Sequence, residues 1–214
     1  MRSTKKKILD ASRLLFNQKS FSSVTIRMIA ESLKMSSGNL NYHFKKREEI
    51  LESLYFEMSS EFEQRLVDFP EMEFSMNQLK VEIKLTMRRM IDYQFFWTDL
   101  YNIINSNENI RTHFHEVYSS RYKSYMLLFK GLRKNKIIKA SIFKWEFQNL
   151  SEQMILNNNT WLYSIALYGG RINESIIEEK ANTMISILYP YLTLKGKKEF
   201  NEIISSNDFP QLIS

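Results

Sequence analysis

The chain has 214 residues, 43% of them hydrophobic and 14% aromatic, enough to fill a substantial core. Five Gly, three Pro and no Cys disfavour turn-rich sheet folds and exclude disulfides, thiolate nucleophiles and Cys-ligated metals. The net charge of +6 is uneven: residues 1–47 hold 11 Lys/Arg against 2 Asp/Glu, a balance of +9, and the remainder carries −3. That asymmetry suits a polyanion-binding head on a mildly acidic body, although a merely solvated basic surface has the same charge.

The N-terminus Met1-Arg2-Ser3-Thr4-Lys5-Lys6-Lys7 is basic and runs into an amphipathic stretch, where a signal peptide needs an unbroken apolar run. No window approaches the ~18 apolar residues of a membrane span, so a cytoplasmic protein is expected. Ile8, Ala11, Leu15 and Phe16 recur at helical spacing, and Asn17-Gln18-Lys19-Ser20 ends that first helix. Thr25 is placed to cap a second helix with Ile26, Ile29, Ala30 and Leu33 on its inner face. After the short turn Lys34-Met35, Ser36 caps a third helix carrying Leu40 and Phe44 inward. Two short helices about three residues apart match a helix-turn-helix unit.

A long fourth helix follows, striped by Ile50, Leu51, Leu54, Tyr55, Met58, Phe62 and Leu66 and stopped by Pro70. From about Ser75 the pattern is helical throughout, with breaks near Asn105–Asn109 and at Gly169-Gly170. Ser141 and Asn173 are read as caps of two long late helices, roughly 142–168 and 174–192, with Pro190 kinking or ending the second. The fold class is therefore all-α: a three-helix helix-turn-helix domain over 1–47, a connecting helix over 48–70, and a C-terminal helical bundle over 71–205.

In the third helix, at about 100° per residue, Leu40 and Phe44 share one side. Gly38 and Tyr42 fall opposite, with Asn39 and Asn41 on the flanks. Asn can pair with an adenine edge, and Tyr and His can donate to phosphate. Gly38 lacks a Cβ and lets a DNA backbone or base edge come close. Ser36 and Ser37 lie at the helix N-terminus, where free amides favour phosphate.

This segment resembles the TetR family of ligand-responsive regulators. Ile8-Leu9, Ala11, Leu15-Phe16, Thr25, Ile29-Ala30, Ser36, Gly38, Leu40, His43-Phe44 and Arg47-Glu48 stand in the family's register over about 45 residues. Ser20 departs from a usual turn Gly, Asn41 from a usual Tyr, and Arg47 from a usual Lys. The resemblance implies that Thr25, Arg27, Ser37, Asn39, Asn41, Tyr42, His43 and Arg47 face DNA, with Arg47 on a phosphate. More loosely, Tyr93–Leu100, Trp161-Leu162 and Leu188–Thr193 resemble the C-terminal domain of one subgroup of such regulators, implying a regulatory and dimerisation domain without naming a ligand. The function implied is sequence-specific control of transcription by a repressor released from a palindromic operator by a hydrophobic or amphipathic ligand. A ligand-independent DNA binder or architectural protein is the alternative.

Two further sets of residues carry expectations. Trp161, Leu162, Ile165, Ile177, Met184, Ile185 and Leu188 exceed what one intramolecular face needs and are expected to pair two copies as a four-helix bundle. Tyr93, Phe96, Trp97, Tyr101, Tyr118, Tyr122, Tyr125 and Trp145 are expected to line a ligand pocket, although aromatic stripes more often simply pack helices together. No enzyme is expected: there is no GxGxxG, Walker loop, HExxH or GxSxG motif. No cofactor or metal is expected either, since His113 and His115 point about 200° apart on a helix and cannot share an ion.

Overall fold

The computed structural model describes residues 3–68, 73–141 and 143–204. Their order is α1 (Thr4–Lys19), α2 (Ile26–Ser32), α3 (Ser37–His43), α4 (Arg47–Asp68), α5 (Met76–Asp92), α6 (Gln94–Thr98), α7 (Leu100–Ser106), α8 (Glu108–Lys134), α9 (Lys144–Leu167), α10 (Glu174–Ser186), a 3₁₀ turn (Tyr189–Tyr191) and α11 (Leu194–Ile203). Among the described residues the one extended pairing is an isolated antiparallel bridge between Ile138 and Leu192, so the fold is all-α. None of these helices is long and apolar enough to cross a membrane.

The chain divides into two compact units, Met1–Gln64 with Met90–Glu116, and Arg65–Arg89 with Val117–Ser214. The first therefore takes in most of the connecting helix and the segment 90–116 as well as the helix-turn-helix. Ile8, Phe16, Ile29, Leu40, Phe44, Ile50, Leu51 and Leu54 are buried in it. Phe16 packs edge-on against both Phe21 and Phe95, with centroids 5.2 and 5.3 Å away. Asn17 ties the end of α1 to the start of α6: its Nδ2 donates to the Asp92 carbonyl (2.9 Å), its Oδ1 accepts from Phe95 N (3.2 Å), and its carbonyl accepts from Gln94 Nε2 (3.0 Å). Glu57 of α4 accepts from Lys6 Nζ (2.6 Å) and from the Tyr93 hydroxyl (2.9 Å), joining α1, α4 and Tyr93. Half-buried polar groups bonded in this way help to fix one arrangement of the packed helices.

In the second unit, Leu128, Phe129, Leu132, Leu150, Met154, Ile155, Ile185, Leu188 and Leu192 form the core. Lys80 donates to the Ile203 carbonyl (2.6 Å), satisfying the end of α11, and pairs with Glu178, which also holds Lys84. Gly196 allows α11 to lie against the 137–138 segment, since a Cβ there would fall 2.1 Å from the Ile137 carbonyl oxygen.

The caps expected at Thr25, Ser36 and Asn173 are present. The expected stop at Pro70 and the side chain of Leu66 lie outside the described residues. Three readings change. Ser141 does not cap the first late helix: Phe143 occupies that position, its N–H is taken by the Glu146 carboxylate (3.3 Å), and Ser141 donates to the same carboxylate (2.7 Å). The second late helix stops at Ser186 and not near 192, because the Pro190 segment winds into a 3₁₀ turn. Thr193 then caps a further helix, α11, that the sequence reading did not separate.

Candidate nucleic-acid interface and apolar cleft

The geometry of α2 and α3 follows from their caps and from one tight turn. Thr25 Oγ1 accepts from Met28 N and Ser36 Oγ accepts from Asn39 N, both at 3.2 Å. Between the helices, Lys34 adopts φ 53°, the left-handed geometry that ends a helix, and Met35 N returns to the Ala30 carbonyl (3.0 Å). Ile29 and Leu40 are fully buried at the crossing, which fixes which face of α3 points outward.

That outward face is Ser37, Gly38, Asn39, Asn41 and Tyr42, all exposed, with Tyr42 at 86%. The nearest atom to a Cβ built on Gly38 is Ser36 Oγ at 3.9 Å, so no protein group crowds the position. His43 is half-buried with its ring 5.3 Å edge-on from that of Tyr42. Thr25 is exposed at the start of α2, and Arg27 is exposed but bonded through Nε to Glu31 (2.7 Å), a pairing whose hydrogen bond raises the guanidinium pKa. The structure thus brings Thr25, Arg27, Ser36, Ser37, Gly38, Asn39, Asn41 and Tyr42 to the surface of one two-helix element, with His43 partly covered beside them.

Arg47 is placed differently from the expectation of a phosphate contact. Its Nη1 donates to the carbonyls of Phe21, Ser22 and Val24 at 3.1, 3.1 and 2.9 Å, and its guanidinium lies 4.2 Å from the Phe21 ring centroid. These carbonyls belong to the segment joining α1 to α2, so Nη1 holds that segment while Nη2 meets the Glu48 carboxylate (3.3 Å). Asn17, Glu57 and Tyr93, for which the sequence suggests no such role, brace helices of the same unit. Their signal was faint: polar side chains at the ends or edges of apolar stripes, with partners tens of residues away.

The eight aromatics expected around a ligand stand in different settings within their own units. Tyr93, Phe96 and Trp97 are buried in the core of the first unit, where Phe96 lies 5.3 Å from the Tyr55 ring. Tyr101, Tyr118 and Trp145 are exposed. Tyr125 packs toward Phe129. Only Tyr122 of the eight lines the open cleft of about 620 Å³ in the second unit, whose other walls are Lys123, Met126, Leu127, Phe129, Lys130, Arg133 and Phe147. Aromatic density marked core more than lining because large rings are the efficient way to fill space between helices.

The seven residues expected to join two copies are likewise already used. Trp161, Leu162, Ile165, Ile177, Met184, Ile185 and Leu188 are each at most 7% exposed within the single chain, packed between the helices of the second unit. The opposite face of α9 is apolar and uncovered: Leu156 (64% exposed), Tyr163 (49%) and Leu167 (59%) recur with Thr160 at i, i+4, i+7 and i+11.

His113 engages the Tyr55 hydroxyl through Nδ1 (2.9 Å) and Glu63 through Nε2 (3.2 Å). No group of three or more His, Asp or Glu suited to a metal occurs among the described residues.

Residues 8–54 match the family described as bacterial regulatory proteins, tetR family, and residues 57–200 match the family described as bacterial transcriptional repressor, TetR. "Probable HTH-type transcriptional regulator YttP" of Bacillus subtilis is 40% identical over 55 residues, spanning 26% of this chain and 27% of that protein. A TetR-family transcriptional regulator from Marinobacter aquaeolei VT8 superposes with a TM-score of 0.83 at 21% identity, covering 98% of this chain and 100% of the other. A putative transcriptional regulator from Saccharomonospora viridis in complex with choline gives 0.68 at 16% identity, covering 86% and 95%. SmeT, the repressor of a Stenotrophomonas maltophilia multidrug efflux pump, gives 0.65 at 13% identity, covering 100% and 98%. At these identities the structural likenesses establish the fold.

Proposed function

We propose a function that starts from one premise: the chain belongs to the TetR family of DNA-binding transcriptional regulators. On that premise it is a repressor that holds a two-fold operator through α3 and leaves it when the second unit takes up a small amphipathic molecule. The observation that carries the DNA side is the outward face of α3, with Gly38 open and Asn39, Asn41 and Tyr42 exposed within the basic segment 1–47. An element with these side chains fits the major groove, with Asn39 and Asn41 nearest base edges and Tyr42 and His43 on phosphates. Arg47 keeps the α1–α2 segment in place and leaves phosphate contact to Tyr42, His43, Ser36, Ser37 and the basic side chains around them.

One such element reads one half-site, so selectivity calls for two copies. The dimer we propose is joined along the outer stripe of α9, Leu156, Thr160, Tyr163 and Leu167, since the inner residues of that helix are already buried in their own chain. Release follows if the ligand binds the DNA-incompatible arrangement more tightly than the DNA-bound one; equal affinity for both shifts nothing.

Footprinting of the purified protein on DNA flanking its own gene tests this reading. Protection of a near-palindrome with half-sites about one helical turn apart is expected. Uniform, unphased protection would favour a ligand-independent architectural binder.

A further inference from the structure

The second unit carries a block of charge that the function above does not use. Residues 117–145 hold eight Lys/Arg and no Asp/Glu, whereas residues 48–116 and 146–214 together hold 11 Lys/Arg against 22 Asp/Glu. A cationic block thus interrupts an acidic body, on the C-terminal half of α8 and the segment after it. The open cleft lies along the same half of α8, and its volume of about 620 Å³ is within the roughly 300–1,000 Å³ of small-molecule sites. Helical register divides its walls. Tyr122, Met126, Phe129 and Arg133 recur at i, i+4, i+7 and i+11 and make an apolar row that ends in a cation. Phe129 stacks on Phe147 of α9 at 5.2 Å, which completes the apolar wall. Lys123 and Lys130, two turns apart, stand on the flank of that row with Leu127 between them. The row spans about 16 Å of helix, room for a single chain laid lengthwise. Lys123, Lys130 and Arg133 are exposed, none of them is in an ion pair among the described residues, and no acid lines the cleft.

We propose that this cleft binds an anionic single-chain amphiphile, its head group held by Lys123, Lys130 and Arg133 and its apolar chain laid along Tyr122, Met126, Phe129 and Phe147. This rests on the proposed ligand response and names the place and chemical class of the ligand. A polyanion such as nucleic acid meets the cations but leaves the apolar row in water. An uncharged chain covers the row and leaves three like charges without a partner, and a cationic amphiphile is repelled by them. The cations are at the rim, so their share of the affinity is modest and sensitive to salt.

The test compares three probes of equal chain length, decanoate, decanol and decyltrimethylammonium, with acetate as the head group alone, by calorimetric titration of the full-length protein without DNA. At low salt decanoate should bind about tenfold tighter than decanol, as three partly exposed charge pairs allow, and the lead should narrow at high salt. The ammonium and acetate should not bind. Lys123→Glu combined with Lys130→Glu, both at exposed positions, should abolish the preference for decanoate without affecting decanol. Leu127→Gln, at a half-exposed position, should weaken both probes several-fold. Equal affinity for decanoate and decanol, a decanoate affinity indifferent to the double charge reversal, or displacement of decanoate by duplex DNA of unrelated sequence would each overturn the proposal. Decanoate is then added to the protein–operator complex. Charge-dependent binding of decanoate with no loss of DNA would leave this inference standing and refute release by ligand. Release of DNA by decanoate that is unchanged in the double charge reversal would do the reverse.

Discussion

Replacing Arg47 by Ala separates a structural cation from a DNA-contacting one. The Arg47 side chain is about one-quarter exposed, and its guanidinium donates to three carbonyls in the 21–24 segment and stacks on Phe21. Hydrogen bonds from a charged donor are worth about 1.5–3 kcal/mol in protected settings. Here one nitrogen is shared among three acceptors that water can partly reach, so the lower end applies. The cation–π contact adds roughly 0.5–1 kcal/mol. Together Arg47→Ala should cost about 2–3 kcal/mol and lower the thermal midpoint by roughly 5–10 °C for a chain of this size. Circular dichroism melting measures the first effect. Titration of duplex DNA across a salt series measures the second: the slope of log K against log salt should stay at its wild-type value, because no phosphate contact is lost. Lys45→Ala, removing an exposed cation just after α3, should reduce that slope by about 0.9. An Arg47→Ala protein that melts like the wild type while its salt slope falls by about 0.9 would refute the structural assignment and restore Arg47 to the phosphates.

Asn39→Ala should relax base preference at one position of each half-site, at a cost of about 1–3 kcal/mol there, as read by competition among operator variants. Ser20 holds φ 68°, ψ 155°, a region nearly reserved for glycine that costs roughly 1–3 kcal/mol. Ser20→Gly gives up exposed contacts to Ser22 and Ser23 and some chain entropy, and should still stabilise the protein by about 1 kcal/mol in urea unfolding. Burial raises the Tyr55 phenol from 10.0 to about 12. Its contribution is therefore complete below pH 10 and is lost as pH rises through 12, about 2–3 kcal/mol in all, so the gap in stability between wild type and Tyr55→Phe should move by that amount over this window. Leu156→Glu combined with Tyr163→Glu should give monomers in sedimentation at micromolar concentration and abolish palindrome binding, whereas a dimer unaffected by the pair would place the interface elsewhere.

What the sequence showed plainly was local. Thr25 and Ser36 cap their helices because a short side-chain oxygen followed by an apolar 3.6-residue pattern has few other uses, and the outward identity of Gly38, Asn39, Asn41 and Tyr42 follows once Leu40 and Phe44 point inward. What it hid was which partner a side chain would find. Arg47 has the type and position of a phosphate ligand, yet three carbonyls within reach capture it first. Tyr93, Phe96 and Trp97 suit a pocket lining by residue type, and in this chain they are buried in the first unit. Asn17 and Glu57, 76 and 36 residues away from Tyr93, hold this stretch against α1 and α4, and pairings at such separations leave no periodic trace.

The late helices make the same point about assembly. An amphipathic helix with one apolar stripe has one partner. α9 has two: Met154, Trp161, Leu162 and Ile165 on one side, Leu156, Tyr163 and Leu167 on the other. Excess apolar content is a sound sign that such a helix meets something besides its own chain, but it does not say which stripe does so. The more fully apolar stripe goes inward, because side chains buried against the fixed neighbours of their own fold remove apolar area without the loss of translational freedom that a second molecule costs. The face left for the proposed partner is then the weaker stripe, interrupted by Thr160, whose hydroxyl bonds back to the Leu156 carbonyl (2.8 Å) and so presents a methyl group outward. By that logic Thr160→Leu should strengthen the dimer and Thr160→Asp weaken it, with the fold of each protomer unchanged. A Thr160→Leu protein that dissociates at the wild-type concentration would show that α9 pairs with nothing along this line.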